Sequence, residues 1–214
     1  MSEYSEKQLS IMDTALRLFA EKGYDKTSIR DIAHEAGVNV AMVSYYFGSK
    51  EKLLEALFSK HFAFITGKLE SIIYEKDSSA FEKVEQIIDV FMDTLYSRQL
   101  FNQLMNREAA VLQEGPLFDM IFEMKNYNRK LMERAVRSGQ RIGVFRKNVS
   151  VMSLTTVLIG SVNQMLTNCR YDAKIAKLAD ADLEHFKKQR METLRIHLKQ
   201  MFIAYLIHDS EKDK

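Results

Sequence analysis

The sequence predicts an all-α protein of about nine helices. Only one proline and eight glycines occur among 214 residues, so few residues interrupt a helix. Apolar residues recur at spacings of three and four through most of the chain, which is the period of one buried helix face. Pro116 follows Gly115 at a break between two such segments, where proline suits the first turn of a new helix.

The first predicted helix runs from about Ser5 to Lys22, and residues 1–5 are polar and expected to fray. Its apolar stripe comprises Leu9, Met12, Ala15, Leu16 and Phe19. Gly23 ends this helix, and a short polar linker leads to the next one.

Residues 28–50 predict two short helices joined by a tight turn. Ser28 is placed to cap the first, and Asp31 lies three residues later, where a carboxylate complements the unpaired amides. Gly37 ends this helix because glycine readily adopts a left-handed backbone conformation. The small Ala33 allows a second helix to cross closely at a steep angle.

The second short helix begins after Asn39, which can cap it. Val40, Val43 and Phe47 are spaced to face inward, and Val43 fills the angle between the two helices. This arrangement is a helix-turn-helix, a motif whose second helix lies in the DNA major groove.

The other face of that helix carries small, apolar and hydroxyl side chains. Hydroxyls suit phosphate oxygens and base edges, and Ala or Met can contact a thymine methyl group. An alternative for Tyr45 and Tyr46 is half-buried packing with solvated hydroxyls. The residues expected to contact DNA are Thr27, Ser28, Arg30, Asn39, Val40, Ala41, Met42, Ser44, Tyr45, Tyr46 and Lys50.

In sequence this region resembles the DNA-binding domain of TetR-type (TetR/AcrR) transcriptional repressors, over about the first quarter of the chain. The matching residues are Ala15 to Phe19, Gly23, Thr27, Ile32 to Ala36, Gly37, Val38, Val43, Tyr45 to Phe47, Lys50, Leu53 and Leu54. The resemblance implies a helical body that binds a ligand and dimerises through its last two helices. It also implies that the body diverges too much in sequence for the ligand to be recognised.

Six longer helices are predicted after the helix-turn-helix. They cover about 49–74, 79–96, 99–113, 116–140, 150–169 and 183–207, with a charged connection over 170–182. The helix over 49–74 is expected to be shared by two domains, a DNA-binding domain over 1–48 and an effector-binding and dimerisation domain over 49–214. Movement of its far end would tilt the DNA-binding domain.

Twelve methionines and thirteen phenylalanines without tryptophan favour adaptable apolar packing or an irregular pocket. For each residue proposed to line this pocket, the alternative is packing in the ordinary hydrophobic core. For Arg107, a further alternative is a solvated pair with Glu108. The candidate effector-pocket residues are Phe62, Ile65, Phe91, Leu95, Phe101, Met105, Arg107, Met120, Met124, Tyr127 and Asn163.

The last two helices carry apolar seams that suit a four-helix interface between two chains. The alternative is that these seams are buried within one chain, and the resemblance favours the dimer. The expected interface residues are Leu154, Leu158, Val162, Met165, Met191, Leu194, Leu198, Met201 and Tyr205.

Composition excludes several classes of protein. The net charge is +2, and residues 1–60 hold eight Lys or Arg against nine Asp or Glu, so DNA binding is predicted from the motif alone. The single cysteine, Cys169, cannot form a disulfide or a cysteine metal cluster within one chain. There is no Gly-rich phosphate loop or catalytic constellation, so we expect no enzyme activity and no cofactor. There is no long apolar run, so we expect no membrane association and a cytoplasmic location.

These observations predict a ligand-responsive transcriptional regulator, with repression as the family default. It would bind a palindromic operator as a homodimer, with recognition helices about 34–36 Å apart. An apolar or amphipathic small molecule would release it from DNA. The alternative is a helical DNA-binding protein without an effector, whose body serves only dimerisation or a protein partner.

Overall fold

A computed structural model describes residues 4–179 and 182–207, and expectations for residues 1–3, 180–181 and 208–214 lie outside the described residues. Within those ranges the chain forms nine α-helices, which confirms the predicted fold class. They are α1 (Glu6–Lys22), α2 (Ile29–Glu35), α3 (Val40–Phe47), α4 (Lys50–Tyr74), α5 (Ala80–Ser97), α6 (Gln99–Val111), α7 (Pro116–Arg141), α8 (Val151–Ile175) and α9 (Leu183–Leu206). None of these helices is long and apolar enough to cross a membrane.

Helix α8 is longer than predicted, because it continues from Cys169 to Ile175 through a charged stretch. Ala173 in this stretch is buried, while its charged neighbours lie on the outer side of the helix. Arg190 of α9 donates a hydrogen bond to Asp172 at 3.0 Å. The charged run is therefore the solvated face of a helix and not a loop.

The chain divides into two compact units, Met1–Phe64 with Arg98–Met124, and Ile65–Ser97 with Lys125–Lys214. This division by packing differs from the boundary expected after residue 48. The first unit extends beyond the expected domain over 1–48, because parts of α4, α6 and α7 share one apolar core with α1–α3. Buried members of that core include Phe19, Val43, Phe58 and Leu104.

The second unit has its own core, built from α5, α8 and α9 with the later parts of α4 and α7. Ile88, Met92, Leu131 and Val162 are almost fully buried in it. Helices α5, α8 and α9 all pack against one another. Cys169 is buried, as expected of a lone cysteine that acts as a small apolar residue.

Candidate nucleic-acid interface

Helix α2 begins with the capping arrangement that the sequence predicts. The Asp31 amide donates to the Ser28 hydroxyl oxygen at 3.1 Å, and the Asp31 carboxylate accepts from the Ser28 amide at 2.8 Å and hydroxyl at 2.6 Å. These hydrogen bonds, the hydroxyl first, lower the pKa of the Asp31 carboxyl group. The Ser28 side chain is therefore engaged in capping, although it remains exposed.

The turn and the start of α3 also follow from local sequence. Gly37 has a φ of +65°, and the Val38 amide donates to the Ala33 carbonyl at 2.9 Å. Asn39 caps α3, because its side-chain oxygen accepts a hydrogen bond from the Met42 amide at 2.7 Å. The two predicted helices therefore meet in the predicted helix-turn-helix.

The expectation that Val40 faces inward is wrong. Val43 and Phe47 are buried, whereas Val40 is 41% exposed in the first turn of α3. The buried contacts of α3 come from its later residues, so its first turn projects beyond the core. Val40 therefore belongs only to the group expected to contact DNA.

The outer face of α3 is exposed where the sequence predicts a DNA contact. Ala41 and Ser44 are exposed, and Tyr45 is 84% exposed with its ring edge-on to that of Tyr46 at 5.4 Å. Met42 is half-buried, and Tyr46 packs against the core of the first unit. The half-buried alternative thus holds for Tyr46 and not for Tyr45.

Two of the residues expected to contact DNA, Thr27 and Lys50, are turned inward. The Thr27 side chain is buried, and its hydroxyl donates to the Gly23 carbonyl at 2.8 Å. The Lys50 ammonium group donates to the carbonyls of Tyr24 and Thr27, both at 3.1 Å, and lies 4.2 Å from the centre of the Tyr24 ring. Both side chains satisfy backbone carbonyls of the α1–α2 turn, which local sequence could not indicate.

Other cations near α2 are available instead. Lys22, Lys26 and Arg30 are exposed, and they form no hydrogen bond or ion pair with any residue in the described ranges. Most remaining cations of this region are paired, for example Arg17 with Glu35 at 2.6 Å. Sequence reasoning included only Arg30, because a count of charges does not show which ones are neutralised by partners.

Arg107 lies against the α1–α2 turn and not in a pocket of the body. A methyl group added to Gly23 would meet the guanidinium of Arg107 at 2.6 Å. Burial, followed by the nearby Asp25 carboxylate, raises the pKa of the adjacent Glu108. Arg107 is exposed and interacts electrostatically with Glu108, so the structure favours the solvated alternative over a pocket role for Arg107.

A second polar contact joins α4 to α6 in the same unit. His61 is buried with its ring stacked on Phe101 at 3.9 Å, and its Nδ1 lies 3.0 Å from a guanidinium nitrogen of Arg98. Since arginine only donates, Nδ1 accepts this hydrogen bond. Burial first, then Arg98 and Lys60, lower the pKa of His61 to about 3. His61 is thus a packing residue of the first unit.

The candidate pocket residues do not come together. Phe62, Phe101, Met105, Met120 and Met124 belong to the first unit, whereas Ile65, Phe91 and Leu95 belong to the core of the second. Tyr127 is exposed and donates to Glu70 at 2.6 Å, and Asn163 is half-buried on α8. A helix period identifies a buried face but not the cavity it lines.

The second unit contains a small apolar cavity of about 40 Å³ between α5, α7, α8 and α9. None of the predicted pocket residues lines it, while Leu154 and Leu158 of the predicted interface do. Its only polar side chain, Thr155, donates to the Val151 carbonyl at 2.8 Å. The lining residues are Val84, Ile87, Ile88, Met132, Ala135, Val136, Val151, Leu154, Thr155, Leu158, Phe202 and Leu206.

Most of the predicted interface seam is buried within its own chain. Leu158, Val162, Met165, Met191 and Leu198 lie in the core of the second unit, and Leu154 and Leu194 pack against that core. Only Met201 and Tyr205 of the predicted group are exposed. For the buried residues the intramolecular alternative is correct, because the seam covers the unit's own helices.

Two cations in the C-terminal half of α9 turn toward α5. Arg195 pairs with Asp89 at 2.7 Å and with Asp93 at 2.5 Å, and Lys199 pairs with Asp89 at 2.7 Å. Residues 148–169 of the adjacent segment carry no charge at all. Exposed apolar residues on these two helices include Val157, Ile196 and Met201. The outer face of α8 is therefore uncharged over residues 151–169, and that of α9 is apolar or uncharged over residues 193–205.

Residues 11–57 match the family described as bacterial regulatory proteins of the tetR family. The HTH-type transcriptional repressor KstR2 of Mycolicibacterium smegmatis is 24% identical over 150 residues, 70% of this chain and 73% of that protein. The structure of the fatty acid degradation regulator FadR from Bacillus halodurans is similar, with a TM-score of 0.71 at 20% identity. The aligned region covers 97% of this chain and 100% of the FadR chain. The structure of FadR from Bacillus subtilis in complex with stearoyl-CoA has a TM-score of 0.67 at 20% identity. The aligned region covers 94% of this chain and 99% of that FadR chain.

The family match spans the capped helices α2 and α3, whose geometry is that of a helix-turn-helix with an exposed recognition face. The structural likeness extends over nearly the whole chain and therefore includes the helical body. Residues 11–57 therefore carry a helix-turn-helix domain of the tetR-family type, and the chain is similar to the repressor KstR2 over 70% of its length.

Proposed function

We propose that the protein is a homodimeric repressor that binds a palindromic operator. The observation that supports this most directly is the outer face of α3, where Ala41, Ser44 and Tyr45 project from a helix held by a capped turn. A recognition helix placed in this way contacts base edges in the major groove. Lys22, Lys26 and Arg30 would contact phosphates around it.

A second copy of the chain is the partner that best fits α8 and α9. Val157, Ile196 and Met201 are exposed by 42%, 56% and 58%, and Arg195 and Lys199 are drawn toward α5. Charge-depleted apolar surface is typical of the core of homodimer interfaces. Pairing of these outer faces would create a four-helix contact and present two recognition helices to successive major grooves.

The apolar cavity of the second unit is our candidate effector site. At about 40 Å³ it holds little more than one water-sized group, so a ligand would have to enlarge it. Met132 in its lining is a flexible side chain that can move aside. FadR from Bacillus subtilis binds stearoyl-CoA, and an aliphatic chain suits walls of this composition. To release DNA, the effector must bind the DNA-free conformation more tightly, by a coupling of about 1–3 kcal/mol.

The test of operator binding is selection from randomised duplexes at one fixed salt concentration. We expect enrichment of a palindrome with half-sites one helical turn apart, because a two-fold dimer presents two α3 helices. Tyr45→Ala should lose most of this affinity, whereas Tyr74→Ala, which removes an exposed tyrosine of the second unit, should retain it. Enrichment of a single half-site would contradict the dimer, and no enrichment would contradict sequence-specific binding.

The small cavity also favours a second candidate function, a dimeric DNA-binding protein without an effector. Mass spectrometry of protein purified under native conditions distinguishes the two candidates. A bound apolar molecule that is displaced when the operator is added supports the effector. Protein free of ligand, whose operator affinity is unchanged by long-chain acyl compounds, supports the second candidate.

A further inference from the structure

The recognition helix lacks every side chain that distinguishes guanine or adenine by paired hydrogen bonds. Such contacts come from Arg or Lys to guanine and from Asn or Gln to adenine. Helix α3, Val40–Phe47, contains none of these residues and no Asp or Glu that could accept from cytosine. Direct base contacts from this helix therefore depend on apolar groups and single hydroxyls.

Asn39, which precedes the helix, does not supply the missing contact. Its side-chain oxygen accepts the Met42 amide at 2.7 Å, so the oxygen is committed to the cap. A paired contact to adenine needs this oxygen and the amide nitrogen together. The cap fixes the orientation of this side chain, so Asn39 is not free to turn its amide toward a base while it caps α3.

The exposed cations near α2 belong to other elements than α3. Lys22 and Lys26 lie at the end of α1 and in the following turn, and Arg30 lies in the first turn of α2. In a helix-turn-helix the first helix crosses the phosphate backbone, so these charges suit phosphates. Lys50 is bonded to two backbone carbonyls, and Arg17 is paired with Glu35.

What α3 does present is a group of methyl-bearing side chains at its first turn. Val40 and Ala41 are exposed there, and Tyr45 extends from the following turn. The C5 methyl group of thymine is the apolar feature that a base pair displays in the major groove. Contact between such methyl groups buries apolar surface and discriminates thymine from cytosine.

We propose that this protein recognises its operator through thymine methyl groups packed against Val40 and Ala41. This inference rests on the proposed function, since it concerns the same helix in the same groove. Each half-site then carries thymine, on either strand, beneath the first turn of α3. Base pairs beneath this helix that make no methyl contact are discriminated weakly, because α3 offers no paired hydrogen bonds to purines.

The test uses the selected operator as a synthetic duplex in which chosen thymines are replaced by uracil. Uracil pairs identically and lacks only the methyl group, so the substitution removes one apolar contact. We expect the Kd to rise about three- to fivefold per methyl, and about tenfold or more when both symmetry-related thymines are replaced. Uracil at thymines outside both half-sites is the control, and the Kd should change less than twofold.

A protein variant assigns the contact to a side chain. In Val40→Ala, the effect of uracil at one half-site position should fall below twofold, because the methyl group has lost its partner. Val111→Ala is the matched control, since Val111 is 75% exposed at the end of α6. In this control the full effect of uracil should persist.

The outcomes separate this inference from the proposed function. If the duplex with uracil in both half-sites binds as tightly as the thymine duplex, thymine recognition is wrong and operator binding stands. The same holds if the selected half-sites lack thymine beneath α3. If no sequence is enriched at all, both the inference and the proposed function are wrong.

Discussion

Lowering the pH from 7.5 to 5 is expected to reduce the free energy of unfolding by about 2 kcal/mol through His61 alone. His61 is buried between Phe101 and Arg98, and burial, then Arg98 and Lys60, lower its pKa to about 3. In the unfolded chain its pKa returns to about 6.5. Between these two values the unfolded state binds a proton that the folded state excludes, so stability falls as the pH falls.

The magnitude follows from the two pKa values. The contribution of His61 to the free energy of unfolding is fully present above about pH 6.5, and it decreases by about 1.36 kcal/mol for each pH unit below that value. At pH 5 the interval below 6.5 is about 1.5 units, which corresponds to about 2 kcal/mol. The loss would level off only below about pH 3, where the folded protein also binds the proton.

Urea titrations followed by circular dichroism at pH 7.5, 6 and 5 measure this slope, with His61→Gln as the comparison. Glutamine keeps an oxygen that can accept from Arg98 but does not titrate. The other histidines are common to both proteins, so their contributions cancel in the difference. The difference in unfolding free energy between the two proteins should shrink by about 2 kcal/mol from pH 7.5 to 5. A constant difference would show that His61 is protonated inside the folded protein, contrary to our reasoning.

Three further variants test other parts of the structure. Gly23→Ala should cost about 1–3 kcal/mol in urea unfolding, because Gly23 has a φ of +96°, which residues with a side chain rarely adopt; the exposed guanidinium of Arg107 would also have to move. An unchanged midpoint would contradict this geometry. Ile196→Glu should sediment as a folded monomer, because Ile196 is exposed on the proposed interface. Leu198→Glu should instead unfold the second unit, because Leu198 is buried. A dimeric Ile196→Glu variant would place the interface elsewhere. Lys26→Ala should reduce the salt dependence of operator binding by about two counterions per dimer, whereas Lys50→Ala should lower stability and leave that slope unchanged; equal slopes for both variants would refute this assignment.

Local sequence determined the helices and the helix-turn-helix. The cap formed by Ser28 and Asp31, the positive φ of Gly37 and the cap at Asn39 each involve groups within about three residues of one another. Interactions of such short range depend on residue type and spacing, which the sequence displays directly. Residues 170–175 are an exception, because their charges predict a connection whereas they form the end of α8; charge alone does not distinguish a loop from the solvated face of a helix.

Only the tertiary structure decided which partner covers each face. The spacing of Leu198 within α9 correctly indicates a buried side, yet that side packs within the second unit while Ile196 remains exposed. Likewise, Lys50 follows the helix-turn-helix as a phosphate contact would, but two carbonyls of the α1–α2 turn draw it inward. A helical period indicates that one face of a helix is buried, and a charged residue indicates that an ion pair or hydrogen bond can form. Neither identifies the partner, because it lies on a segment distant in sequence and comes close only when the chain folds.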